Sequence, residues 1–401
     1  MKKLINNLWR FGAALVVGIS SLAVINFGTA LAAGPYTCTW TGGGSDGNFS
    51  TAGNWSGCNS SSPQAADNDI LIFNNASLGS HGITDDVTGL NVASIEFQNN
   101  ASGQGANIVI GSGKNLTVNS AITQDSTDTN TSNSIASTTA NATLTLGGNV
   151  TVSTSSGLTL GDEGDTLALG GHTLNFVETA GSSGGRIVDI SANMTGSSAT
   201  VVYNGPNTEF QLYGTNTYSG TTTVTAGDLL EGSPSTNGFG TSAISVATAG
   251  SITFFATANR TISNAITVAG TTDNSFVTSL DFSTTSNSPI TYTVSGIVLS
   301  GNTRFANDEG SNGLMTINLA GITANGHCLE YLGGSNDGTA AGSDFQNGPA
   351  ACIVTSAAST PKAPNTGLAR IAANPLVPIG SAILAAGAIA LVAKKTSKRT
   401  Y

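Results

Sequence analysis

The sequence predicts an all-β fold, a solenoid of short stacked strands, on three observations. Apolar residues alternate in pairs along the middle of the chain: Ile108 and Ile110, Leu116 and Val118, Leu144 and Leu146, Val150 and Val152, Leu158 and Leu160, Leu167 and Leu169, Leu174 and Phe176. Each pair marks a strand of about three to five residues with one face buried, and Gly, Asn, Ser or Asp turns separate the strands. Aromatic residues make up only 6% of the chain, so the inward positions fall to small aliphatics mixed with Thr and Ser. These stack well in a narrow coil, whereas a sandwich core calls for bulky facing aromatics.

Composition excludes other classes. Charged residues are 9% of the chain, with 13 basic against 23 acidic. A nucleic-acid binder needs clustered Lys and Arg to displace counterions. A helical bundle would be rich in Lys, Glu and Arg, which are nearly missing from the middle. Disorder by charge repulsion is excluded by a hydrophobic fraction of 39%.

Taken in order, residues 1–33 read as an export signal peptide. Lys2, Lys3 and Arg10 precede an apolar run from Phe11 to Ile25, and small Ala30 and Ala32 suit a cleavage site. Residues 34–75 form an entry and capping segment holding Trp40 and Trp55, and residues 76–355 form the β-helical body. At about 20 to 25 residues a coil, the body predicts on the order of 13 to 15 coils and a rod about 60 to 70 Å long. Residues 356–370 are a Pro-containing linker. The apolar stretch 371–393 is long enough for a single transmembrane helix at about 1.5 Å per residue. Residues 394–401, with Lys394, Lys395, Lys398 and Arg399, form a basic cytoplasmic tail. Between the two ends, five basic residues stand against 23 acidic ones, a formal charge of −18.

Four cysteines flank the body: Cys38 and Cys58 near its start, Cys328 and Cys352 near its end. An even count in an exported chain reads as two disulfides. Three connectivities exist, and the local pairs are preferred, each closing a loop of roughly 20 residues worth about 3 kcal/mol. No metal site is expected, since His327 beside Cys328 has no second His at ligand spacing. No cofactor is expected either. Carboxylates that could serve catalysis are Asp162, Glu163 and Asp165 in one Gly-flanked turn, Asp85 with Asp86, and Asp308 with Glu309 near Arg304. Acids in such turns usually shape the turn or face solvent, so the chain is expected not to be an enzyme.

Three segments resemble known families. Pro361-Lys362-Ala363-Pro364-Asn365-Thr366-Gly367, followed by an apolar span and a basic tail, resembles the LPxTG sorting signal of sortase-anchored bacterial surface proteins, with Ala363 in place of the usual Leu. The resemblance implies cleavage between Thr366 and Gly367 by a sortase-like transpeptidase and transfer of Thr366 to an envelope amine. The segment from Asn216 to Leu230, with Asn216-Thr217-Tyr218-Ser219-Gly220 leading to Thr222-Thr223-Val224 and then Gly227-Asp228-Leu229, resembles the passenger-associated repeat of autotransporters. That implies a right-handed parallel β-helix. Trp40-Thr41-Gly42-Gly43-Gly44, Asn54-Trp55 and Asp67 to Phe73 look like the entry segment of such exported β-helical proteins. A solenoid's first coil has no neighbour on one side, so the two Trp and the disulfide are expected to form a lid over it, with carbohydrate stacking as the alternative. The combined expectation is a structural or adhesive protein on the extracellular cell surface, anchored at its C-terminus to wall or membrane. It projects a binding surface toward host cells, glycans or envelope neighbours. A surface polysaccharide lyase or glycoside hydrolase of the same fold is the alternative.

Overall fold

The computed structural model describes residues 35–60, 64–74, 82–98, 105–124, 133–137, 141–155, 157–178, 186–231, 237–272, 276–284, 286, 288–309, 315–332, 345–346 and 348. These residues build a parallel β-solenoid. Most turns contribute three strands in fixed order, and apart from Trp55–Ser56 the strands pair in parallel with their counterparts one turn away.

The first face stacks Thr37–Trp40, Ile70–Asn74, residues 94–98 and 121–124, Val150–Thr154, Thr173–Glu178, residues 199–204, 220–226 and 243–249, Ile266–Val268 and Ile297–Leu299. The second runs from Ile83–Asp85 and Asn107–Ile110 through Arg186–Ile190 to Val277–Thr284, Thr303–Glu309 and Leu329–Leu332. The third stacks residues 90–92 and 115–118, Thr143–Leu146, Thr166–Ala168 and Asn193–Thr195. It resumes later as a separate sheet of Arg260–Ile262, Ile290–Val294, Met315–Leu319 and Phe345–Gln346. The first face's eleven strands, at about 4.8 Å apiece, extend roughly 50 Å. The expected 20 to 25 residues a coil fits most later turns, whose first-face strands begin at 150, 173, 199, 220, 243 and 266, whereas the earlier ones, at 37, 70, 94, 121 and 150, lie further apart, so eleven first-face strands are described in place of 13 to 15 coils.

Register makes the core. Cys38, Leu71, Ile95, Ile122, Val152, Phe176, Tyr203, Val224, Val246, Val268 and Leu299 fall in one inward row, and all are buried. A one-residue slip would turn every member of the row toward solvent, so apolar alternation pins the stack. On the third face Leu90, Leu116, Leu144, Leu167 and Met194 form a second row of the same kind. Where a face turns into the next, glycine is obligatory at some corners. Gly227 has φ +88°, and a Cβ there would lie 2.0 Å from the Gly205 carbonyl oxygen.

The amino-terminal end is closed by aromatic packing. Trp40, Phe49, Trp55 and Phe73 form one cluster with ring centroids 5.0–6.1 Å apart, and Trp55 Nε1 donates to the Phe49 carbonyl at 2.9 Å. Trp55–Ser56 lies antiparallel to Thr37–Trp40, and the Cys38–Cys58 disulfide ties them together. Cys328 is also disulfide-bonded.

The expected carboxyl-terminal transmembrane helix is corrected. Among the described residues the helical element is the three-residue 3-10 turn Ala52–Asn54, and no helix is long and apolar enough to cross a membrane. Residues 371–393, whose length and hydropathy meet the condition for a span, lie outside the described residues. Membrane contact and a surface address resting on that helix are withdrawn with it, as is transfer of the chain to an envelope amine. Residues 1–33 and 356–401, including the Ala363, Pro364, Asn365, Thr366 and Gly367 motif, lie outside the described residues, as does Cys352.

Candidate functional site

The residues nominated for chemistry do not assemble into one site. Asp165 is buried and its carboxylate is fully engaged. Oδ1 accepts from Ser137 Oγ at 2.6 Å and Ala142 N at 3.0 Å, and Oδ2 accepts from the Ser137 and Asp162 backbone N–H groups at 2.9 Å each. It joins two neighbouring turns. Asp162 and Glu163 stand exposed beside it. Arg304 Nε pairs with Glu330 on the adjacent strand at 2.7 Å. Asp308 and Glu309 end the strand Thr303–Glu309, and their side chains are outside the described set. His172 and His327 are half-buried and far apart in the stack, while His81 is outside the described residues.

The Trp pair is a lid and not a stacking platform. Trp40 is 0% and Trp55 7% exposed, so neither ring offers a face to a sugar. Near them, Cys38, Cys58 and Asp69 place ligand-type atoms within 4.8 Å of one another. Both sulfurs are consumed by the disulfide, and the Asp69 carboxylate accepts from Ala66 N at 2.9 Å and Tyr36 N at 3.3 Å. Burial raises the Asp69 carboxyl above its ordinary range. The cluster is a lock.

The structure assembles two polar features that periodicity alone does not reveal. One is internal. The inward row of the second face runs Ile83, Ile108, Ile135, Leu160, Ile190, Leu212 and then Glu231, which is 0% exposed. Glu231 pairs with Arg260 at the start of the resumed third sheet and accepts from the Gly238 N–H. Arg260 also donates to the Phe255 carbonyl at 2.9 Å and lies over the Phe254 ring. Burial raises the Glu231 carboxyl against the opposing pull of Arg260. A sequence signal existed: Arg260 is one of very few cations in the body, and a charge inside an apolar alternation needs a partner.

The other feature is a surface. Outward residues of the third face fall into two ranks. The first is Asn115, Thr143, Thr166 and Asn193, continued by Thr215, whose N–H donates to Asn193 Oδ1 at 2.7 Å. The second is Asn91, Thr117, Thr145, Ala168 and Thr195, continued by Thr217, whose N–H donates to the Met194 carbonyl at 2.9 Å. Parallel pairing sets neighbours within a rank about 4.8 Å apart and the ranks about 6.6 Å apart. Every position is exposed or half-buried and none carries charge. Asn91 Oδ1 is occupied by Asn119 Nδ2 at 2.7 Å. The hydroxyls of Thr143, Thr145, Thr166, Thr195 and Thr217 make no hydrogen bond among the described residues. The resumed sheet repeats the chemistry, with Thr261, Thr293, Asn318 and Gln346 in one register and Thr291 with Thr316 in the next.

The second face differs. It carries Asp189, Glu209, Asp228 and Asp281 outward, and burial together with Glu209 raises the Asp189 carboxyl. Among the described residues the surface depression lined by Gly240, Thr241, Ser242, Ala243, Ser263, Asn264 and Ala265 is shallow, about 180 Å³ in volume. It holds no titratable group.

No family model, no curated protein and no solved structure matches this chain.

Proposed function

We propose that the chain is a non-catalytic β-solenoid scaffold, of the kind found in autotransporter passengers, whose third face binds an extended neutral polysaccharide. The carrying observation is the pair of uncharged Thr and Asn ranks from Asn91 to Thr217, in which five Thr hydroxyls have no hydrogen-bond partner among the described residues. Each free hydroxyl is a donor and an acceptor at a fixed interval. One such contact is weak, but a chain of sugars laid along the ranks meets many at once, and the rigid backbone has already met the ordering cost. The acidic second face would repel anionic polymers, which favours a neutral one.

The test is binding of the full chain to immobilised neutral and acidic polysaccharides, compared with a Thr145→Lys, Thr166→Lys variant. The expected result is retention on neutral polymers, lost in the variant while the β-sheet circular dichroism is unchanged. Equal retention of both proteins, or retention of neither, defeats the reading. Release of reducing ends from the bound polymer would replace the scaffold with an enzyme.

A further inference from the structure

Asp85 closes the first strand of the second face, Ile83–Asp85, and its side chain points inward in register with Ile110 of the next turn. It is 0% exposed. Oδ1 accepts from the Val87 N–H at 3.1 Å, whereas Oδ2 is buried without a hydrogen-bond partner among the described residues. A buried carboxylate with an orphan oxygen is expensive, and a neutral carboxyl much less so.

The position matters because the amino-terminal cap hangs on the residues on either side of it, Thr84 and Asp86. The Phe49 N–H donates to the Thr84 carbonyl and the Thr84 N–H to the Gly47 carbonyl, both at 2.8 Å. The Asp86 carboxylate accepts from Ser50 N at 2.9 Å and Ser50 Oγ at 2.5 Å. The capped surface is the apolar cluster of Trp40, Phe49, Trp55 and Phe73.

We propose that Asp85 is the latch of a pH-sensitive cap. With its carboxyl neutral, the segment 47–56 stays docked on the first turn; when the proton is lost, the charge seeks water, the 84–86 strand end shifts, and the cap loosens to uncover the aromatic cluster. The charged groups around it set the direction. Asp86, adjacent in the chain and bonded to the cap, opposes a second negative charge. Asp46 sits in the cap itself and accepts from the Asn48 N–H. Lys114, leading into the following turn, is the nearby cation and is bonded through Nζ to Thr88 Oγ1 at 2.7 Å. Ile83 and Ile110 are apolar. Burial, with Asp86 adding to it, raises the carboxyl to about 7, so the proton leaves near neutrality.

The test is amide hydrogen exchange of the full chain across peptides spanning 47–56 and 83–92, corrected for the intrinsic pH dependence. It compares the native protein with Asp85→Asn, which cannot ionise, and Asp85→Leu, which continues the aliphatic packing and covers the case in which the amide misfolds. The native cap should open about tenfold or more between pH 5 and pH 8, with protection at 150–160 unchanged. Both variants should lose that dependence. The proposal is overturned if the native cap shows no change, or if either folded variant keeps it.

Discussion

The turns before Leu212 and those after it use the same strand grammar with different fillings. In the earlier turns the inward row of the second face is aliphatic from Ile83 to Leu212, and a third face is paired from residue 90 to residue 195. In the later turns the corresponding row reads Glu231, Phe254, Phe282 and Asn307, and the third face restarts at Arg260. The difference teaches what a solenoid needs where a face is interrupted. Strands at a break lose lateral partners, and larger groups bridge the gap: stacked rings 5.7 Å apart at Phe254 and Phe282, and an ion pair from Glu231 to Arg260. Buried pairs of this kind do more for register than for net stability, because the desolvation cost offsets most of the attraction.

The sharpest way to break this comparison is to strip one partner from the later turns. Glu231→Ala leaves Arg260 buried without its carboxylate and should cost about 3–5 kcal/mol, read as loss of exchange protection in Arg260–Ile262 and Ile290–Val294. Protection at Thr143–Leu146 should hold. A Glu231→Leu, Arg260→Met double variant should recover most of the loss; if it does not, the pair is contributing more than register.

The second prediction sets the capped amino-terminal turns against pH. A carboxyl whose folded value is raised contributes stability in full below the unfolded value near 4, and that contribution is lost as pH climbs through the folded value. For Asp85, raised to about 7, the loss is about 4 kcal/mol at most between pH 4 and pH 7. Asp69, raised in the same direction, adds to it. Denaturant melts should therefore show the capped turns more stable at pH 5 than at pH 8, and Asp85→Asn should flatten most of the trend.

Reduction of the Cys38–Cys58 disulfide should cost about 3 kcal/mol for a loop of this length, with Trp emission reporting exposure of the cap before the later turns respond. The smallest stability effect belongs to the outer ranks. Thr145→Lys and Thr166→Lys should each change stability by no more than about 0.5 kcal/mol, while abolishing polysaccharide retention. A larger stability change would mean that the ranks support the fold.

Much of this was legible beforehand. Alternation at Leu144 and Leu146 or Val150 and Val152 gave strand positions and inward faces, because a period of two has only two phases. The Trp40 and Trp55 lid followed from their place at an open end. The coil lengths did not follow, since loops between faces carry no periodic signal. Asp165 could be read as part of an acidic turn, but three of its four hydrogen bonds come from residues 137 and 142, one turn away. Glu231 and Arg260 stand 29 positions apart, and nothing local links them.

What the sequence determined by itself is the class of object: few charges, few rings and a two-residue apolar period leave a β-stack as the way to bury one side of so many brief strands. What only the tertiary structure decided is which turn lies over which. Register between turns lines up Thr143 with Thr166 and Leu212 with Glu231, and it is set by summed core packing across the whole stack, a quantity no single segment contains.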